Sequence, residues 1–232
     1  MSRETENAML LLVGLSTAVV AITGTYTRYV KPALLPWLLT AAAVLIALAL
    51  AAMVIDMRRP RRHDSGGHAH RPAVVWLLAV PIVVLMFVVP PALAARSTPT
   101  VAVVSTDVLR RAFPPLPPER APTVSLPEVL SRAADDTAGT LDNRLITVVG
   151  FIFKDAGITN LARVAITCCA ADAQLVRIRL AGAHADDAAA LPENTWLRVE
   201  GHVAVGASTP TLNVSSLTRI DTPANTYAYV NS

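Results

Sequence analysis

The chain has 232 residues, of which 53% are hydrophobic and 16% are charged, and its formal net charge is +3. This composition is too apolar for an ordinary soluble domain and indicates membrane segments. Residues 141–232 carry seven Lys and Arg against eight Asp and Glu. That part therefore has no basic face, and we expect no nucleic-acid partner.

Three apolar runs predict a membrane domain over residues 1–95. Each run is long enough to cross the hydrocarbon core of a bilayer as a helix. The predicted transmembrane helices cover about residues 8–27, 34–55 and 73–93. Small residues of the first run, such as Gly14, suit close contact between helices, although a membrane helix also tolerates them without contact. Trp37 and Trp76 lie near the starts of the second and third runs, where indole rings favour the headgroup level.

The loop between the second and third runs, residues 56–71, contains five arginines and predicts the topology. Basic loops of this kind stay in the cytoplasm. The chain after the third run is then extracytoplasmic, and the protein is a multi-pass protein of the cell membrane with the lipid bilayer as its surroundings. Three histidines in the loop suggest a metal site, but no cysteine or carboxylate pattern joins them, so we favour a solvated basic loop. They are His63, His68 and His70.

Residues 96–124 are rich in Pro, Ser and Thr and predict a stiff, extended linker. The segment Ser125-Leu126-Pro127-Glu128 then has the form of a capping box, in which serine and glutamate bond the first backbone amides of a helix. We expect a short helix through about Ala134, with Val129 and Leu130 on its buried side.

Five segments rich in β-branched and aromatic residues predict strands in the domain over residues 125–232. They are residues 145–153, 161–167, 174–180, 196–205 and 211–217. Gly150, in the middle of the first strand, indicates a bulge or a sharp bend, and a helical turn is expected at 186–191. The prediction is an α+β membrane protein whose transmembrane helices precede a small all-β, OB-like extracytoplasmic domain.

Both cysteines of the chain, Cys168 and Cys169, are adjacent. Successive residues of a regular strand point to opposite faces, so a turn or bulge is needed for both sulfurs to meet one ligand. One interpretation is a zinc or copper site formed with Asp172 and joined by His184 or His202. A second is redox chemistry through a vicinal disulfide. A third is structural, with one cysteine in the core and the other exposed or paired between chains.

The chain resembles a bacterial family of membrane permease subunits that carry a C-terminal domain of unknown function. The resemblance covers most of the chain, including the strand Val148–Phe151 and the end Pro223–Val230, and its most specific part is a TCCxADA motif. The motif residues, which the resemblance leaves without an assigned role, are Arg163, Thr167, Cys168, Cys169, Asp172 and Ala173. The resemblance implies an accessory subunit beside a large multi-span permease. The third apolar run departs from the family's two spans.

These observations lead to one functional hypothesis and one alternative. We expect a non-enzymatic accessory subunit of a permease, whose extracytoplasmic β-domain binds a metal, a small ligand or the permease itself. The alternative is a membrane-tethered thiol–disulfide oxidoreductase that uses Cys168 and Cys169. No phosphate loop, spaced carboxylate pair or Ser/His/Asp set supports a hydrolase or a kinase.

Overall fold

The computed structural model describes residues 3–58, 113–204 and 210–229, and divides the chain into two compact units, Met1–Pro91 and Ala92–Ser232. Helices form the described part of the first unit, and a six-stranded mixed sheet dominates the second. The predicted α+β order, with helices before a β-domain, is confirmed. The third predicted span, the histidine loop and residues 96–112 of the predicted linker lie outside the described residues.

In the first unit, α1 (Arg3–Ile22) and α2 (Leu35–Arg58) form an antiparallel hairpin through two 3₁₀ turns, Thr25–Arg28 and Pro32–Leu34. Their buried residues are small or polar and recur at intervals of seven, which is the interval that keeps one seam facing a partner helix. The buried positions are Asn7, Gly14 and Ala21 on α1, and Ala42 and Ala49 on α2.

Gly14 shows why small residues occupy this seam. A Cβ at Gly14 would lie 2.8 Å from Cγ1 of Ile46 on the facing helix, so glycine here permits a close approach. At one end of the seam, the Asn7 side-chain amide donates a hydrogen bond of 3.1 Å to Asp56. The hydroxyls of Ser16 and Thr17 do not bond the facing helix, because each donates to a carbonyl of α1 itself.

One helix of the described chain, Pro32–Arg58, is long and apolar enough to cross a membrane, while the apolar helix Glu6–Ile22 is shorter. The first predicted span, about residues 8–27, overlaps the helix α1, which begins at Arg3 and ends at Ile22. It ends early because Gly24 adopts a φ of 75°, which a continuing helix does not allow. The second predicted span agrees with α2.

In the second unit, five of the six strands close into a ring. β1 pairs with β4 through its first half and with β2 through its second half, while β2 pairs with β3, β3 with β5 and β5 with β4. The sixth strand lies parallel to β2 at the edge of the sheet. The strands are β1 (Leu145–Asp155), β2 (Ile158–Ile166), β3 (Gln174–Ala181), β4 (Trp196–Ala204), β5 (Thr211–Arg219) and β6 (Tyr227–Tyr229).

Gly150 lies where β1 changes partner, and the pairings of β1 show no register shift, so of the two predicted features, a bulge or a sharp bend, the bulge is absent. The register shift lies instead in the pairing of β4 with β5, where Glu200 pairs with Ser216 and Gly201 with Val214. The reason for glycine at position 150 is a close approach, since a Cβ there would lie 2.6 Å from the carbonyl oxygen of Ala162. The glycine lets β1 and β2 cross at short distance.

The helix α3 (Leu126–Asp135) precedes the sheet, and α4 (Ala185–Ala190) lies between β3 and β4. The β-domain has two clusters of buried apolar residues, a larger one that includes Ile152 and Leu197 and a smaller one that includes Ile166 and Trp196. Leu126 and Val129 of α3 are almost fully buried in the larger cluster. The predicted capping box is wrong: the Ser125 side chain makes no capping bond, and Glu128 binds Arg132 at 2.7 Å.

The end of the predicted linker, residues 113–124, lies against the β-domain. The Thr147 amide donates to the Pro122 carbonyl, and the Val124 amide donates to the Thr147 carbonyl, both at 2.9 Å. Beyond α3, Asp136 accepts bonds from the hydroxyl and amide of Thr140 and from two further amides. Burial raises the pKa of Asp136, but these bonds outweigh it and lower the pKa from 3.8 to about 2.

Candidate functional site

The two cysteines lie in the connection between β2 and β3, where the chain leaves the ladder. A single 3₁₀ turn, Ala170–Asp172, follows Cys169. Buried residues fix both ends of this connection, because Ile166 is fully inaccessible and Ala173 is 6% exposed within the smaller core cluster. The connection is therefore a short exposed loop held on a rigid base, and the turn that adjacent cysteines require is present.

The Asp172 carboxylate organises this loop by accepting hydrogen bonds from three successive backbone amides. Oδ1 accepts from Thr167 at 2.8 Å, and Oδ2 accepts from Cys168 at 2.8 Å and from Cys169 at 3.3 Å. Burial raises the pKa of Asp172, but the bonds from the Cys168 side chain and the three amides outweigh it and lower the pKa. Asp172 is therefore ionised and holds the backbone of both cysteines in one conformation.

This conformation brings the two thiols together. Both cysteines are free, Cys168 is exposed and Cys169 is half-buried, and their Sγ atoms are 3.5 Å apart. A hydrogen bond to the Asp172 side chain, followed by the bond to Cys169, raises the pKa of the Cys168 thiol to about 12. The Cys168 thiol is therefore protonated beside the Asp172 carboxylate at neutral pH.

The ligand atoms of Cys168, Cys169 and Asp172 all lie within 4.8 Å of one another. Two sulfurs and one oxygen suit borderline and soft metals such as zinc and copper. The carboxylate offers about four lone-pair directions, and three amides occupy three of them. The Cys168 thiol, which also bonds this carboxylate, takes the fourth direction, and that direction becomes available to a metal when the thiol loses its proton.

Two protein-family models match this sequence, and one of them includes the cysteine loop. The DUF1980 N-terminal domain matches residues 7–108, and the DUF1980 C-terminal domain matches residues 132–230. The chain belongs to the DUF1980 family. DUF1980 is a domain of unknown function, and its C-terminal match contains the cysteine loop and all six strands. No curated protein matches the sequence.

Neither histidine of the predicted site belongs to the group of ligand atoms in this DUF1980 domain. His184 follows the far end of β3 from the cysteines, and its Nδ1 lies 2.9 Å from Asp187. His202 is exposed on β4, where it pairs with Leu145 and Asn213. Within the described residues, the metal-ligand group therefore consists of the cysteines and Asp172. The predicted participation of a histidine stays a prediction, and in this structure the two histidines lie on other segments than the loop.

The other three motif residues, Thr167, Ala173 and Arg163, had no role assigned from the sequence, and the structure shows what each contacts. Thr167 is exposed and contributes its amide to Asp172, while Ala173 is buried below the loop. Arg163 lies on β2, with its guanidinium 5.1 Å from the centre of the Trp196 ring. It donates to the carbonyls of Val149, Asn225 and Tyr227, so it is neither a metal ligand nor part of the cysteine loop.

Proposed function

We propose that this protein is a membrane-anchored accessory subunit of a permease whose β-domain binds a zinc or copper ion through Cys168 and Cys169. The observation that carries the proposal is the 3.5 Å separation of the two Sγ atoms on an exposed, preformed loop. In a tetrahedral zinc site with Zn–S bonds of about 2.3 Å, two sulfurs are roughly 3.8 Å apart. The loop needs to open by only a few tenths of an ångström to bind such an ion.

The ligand set favours transient binding over a structural role. Structural zinc sites are usually closed by four protein ligands, whereas sites with three keep a position open for another molecule. Here Cys168 and Cys169 supply two thiolates, and Asp172 supplies one oxygen. An exposed site with an open position suits an ion that is captured and then passed to a partner, which in this proposal is the permease.

Three features support the proposed OB-type fold and the proposed membrane location: the strand ring, the apolar helix and the arginine-rich loop. The five-strand ring, with a helix between β3 and β4, supports an OB-type barrel. The apolar helix Pro32–Arg58 supports anchoring in a membrane. The arginine-rich loop supports a cytoplasmic N-terminus and an extracytoplasmic β-domain, and the resemblance to permease subunits supports the partner.

The test is zinc binding by the full chain in detergent. The protein is reduced without oxygen, freed of metal, and titrated against a chromophoric chelator that reports free zinc. We expect one equivalent of zinc to bind, and we expect Cys168→Ser and Cys169→Ser each to weaken binding at least about tenfold. His184→Ala and His202→Ala are matched controls that keep the wild-type affinity. The metal proposal fails if neither zinc nor copper(I) binds, or if a double serine variant binds as well as the wild type.

The alternative function, a thiol–disulfide oxidoreductase, is favoured by the same proximity of the sulfurs. An oxidised Cys168–Cys169 disulfide would accept two electrons and two protons from a substrate dithiol, which would become the disulfide. Such an enzyme needs a thiol of lowered pKa, whereas hydrogen bonding to Asp172 raises the pKa of Cys168 to about 12. Metal binding needs the thiolate too, but a bound metal ion displaces the proton by its own charge, and a substrate dithiol does not. Alkylation rates measured from pH 5 to 10 separate the two functions, because a reactive thiolate at pH 6 supports the oxidoreductase.

A further inference from the structure

The β-domain contains a second feature that the cysteine loop does not use, a cavity of about 650 Å³. Its wall includes the start of α3, the strands β1 and β2, and the C-terminal segment around β6. The volume lies within the usual range for small-molecule sites. Val149 and Ile220 provide apolar surface, and Ser125, Arg163, Asn225 and Tyr229 provide polar groups.

Arg163 is the central charge of this cavity. Its three hydrogen bonds all go to neutral backbone carbonyls, at 2.9 to 3.2 Å, and its Nε has no partner. Among the residues that the structure describes, no carboxylate forms an ion pair with it. Burial lowers its pKa, which reflects the cost of removing the cation from water. Tyr229 and the Trp196 ring partly stabilise the charge, but buried charges are usually paired with an opposite charge, so a bound anion would complete the surroundings of Arg163.

Ser125 supplies a second donor to the same cavity. Its hydroxyl is buried, has no hydrogen-bond partner, and is not used to cap α3. A buried hydroxyl without a partner costs free energy, so such a group usually indicates a role or an absent ligand. Rotation about one side-chain bond redirects this hydroxyl without moving the backbone.

The acidic residues of the wall do not neutralise Arg163. Glu128 is committed to Arg132, with contacts of 2.7 and 2.9 Å. Asp221 is exposed at the rim, as is the second arginine of the wall, Arg198. The buried part of the cavity therefore presents a positive charge, a hydroxyl and an apolar surface to any occupant.

We propose that this cavity binds a small organic carboxylate, whose two oxygens accept from Arg163 and Ser125 while its apolar body contacts Val149 and Ile220. A planar carboxylate suits a guanidinium donor, and an apolar body suits the cavity wall. Free phosphate lacks that apolar body, and a neutral amide lacks the charge, so both bind more weakly. This site is independent of the proposed metal site, and either proposal can fail alone.

Ligand-detected NMR on the full chain in detergent tests the proposal, with benzoate as the probe and with benzamide and inorganic phosphate as comparisons. We expect saturable benzoate binding at least about tenfold tighter than that of either comparison, because a hydrogen bond to a charged group is worth more than one to a neutral group. Arg163→Gln should weaken benzoate binding at least about tenfold, whereas Arg179→Gln, at an exposed position on β3, should not change it.

Ser125→Ala keeps the test valid if Arg163→Gln impairs folding. Removing a hydroxyl without a partner should leave the thermal midpoint unchanged or higher, yet weaken benzoate binding about threefold or more. Ser216→Ala, at an exposed position on β5, is the control and should change neither quantity. The proposal is overturned if benzoate does not bind, if benzamide or phosphate binds equally well, or if Ser125→Ala binds benzoate as the wild type does.

Discussion

Replacing Asp172 with alanine is the most direct test of how the cysteine loop is built. The change removes the acceptor of three backbone amides, at 2.8, 2.8 and 3.3 Å. Hydrogen bonds to charged groups contribute about 1.5–3 kcal/mol each, and exposure to water reduces this to about 1 kcal/mol each. The carboxylate therefore contributes roughly 3 kcal/mol to the conformation that holds the two sulfurs together.

This contribution predicts separate effects on metal affinity and on stability. If roughly 3 kcal/mol of organisation is lost, zinc affinity should fall at least about a hundredfold, since each 1.4 kcal/mol is a factor of ten and the variant also loses the ligand oxygen of Asp172. The free energy of unfolding should fall less, by about 1 kcal/mol, because a loosened loop regains conformational entropy. Ile166 and Ala173 remain buried at the two ends of the loop, so the barrel itself should stay folded.

The assay is the chelator competition on the full chain, together with chemical denaturation. Asp155→Ala is the matched control, because Asp155 is an exposed carboxylate that pairs with Arg177 at 2.6 Å, and such surface pairs contribute less than about 1 kcal/mol. The control should bind zinc with wild-type affinity. Wild-type affinity in Asp172→Ala would refute the argument that the carboxylate organises the site. Equal losses in both variants would indicate a general effect of charge.

Three further predictions concern the fold. Gly150→Ala should lower the free energy of unfolding by about 2–3 kcal/mol, because its Cβ meets a rigid carbonyl, whereas Gly157→Ala, in open space at φ +79°, should cost about 1 kcal/mol by denaturation. The pKa of Asp136 is lowered, so the stability that its carboxylate contributes is present above about pH 4 and is lost as the pH falls toward 2. The difference in the free energy of unfolding between pH 5 and pH 2.5, measured by denaturation, should be smaller by roughly 1 kcal/mol in Asp136→Asn. Gly14→Leu should lower the thermal midpoint of the helical hairpin in detergent, and Gly14→Ala should lower it less, because the Cβ of alanine already crowds Ile46 and leucine adds three further carbons to that crowding.

The strands of the β-domain were predictable because each carries its own pattern. In β3, Val176, Ile178 and Leu180 are buried while Arg177 and Arg179 face outward, and the sequence alternation predicted this. All five predicted strands lie within three residues of the observed ones. The sixth strand has only three residues and pairs with β2 in parallel. A segment of that length carries too little periodicity to be recognised.

The contact predicted between particular side chains and the backbone, the capping box, was less predictable than the strands. Ser125 and Glu128 have the spacing of a capping box, but Arg132, one turn further along α3, binds the glutamate more strongly than a backbone amide would. His184 and His202 are plausible metal ligands by residue type. Their positions depend on how the ring closes, and closure is a property of five pairings that no local segment encodes.

The charged residues of the TCCxADA region show why its chemistry was hard to assign from the sequence. Asp172 accepts from three backbone amides, and Arg163 donates to three backbone carbonyls. Both side chains thus act on the main chain, one shaping the cysteine loop and the other joining β2 to the C-terminal segment. Partners of this kind are fixed by the path of the chain and leave no spacing pattern in the sequence. Because Asp172 is largely occupied in this way, the proposed metal site depends mainly on the thiols of Cys168 and Cys169, whose Sγ atoms are 3.5 Å apart.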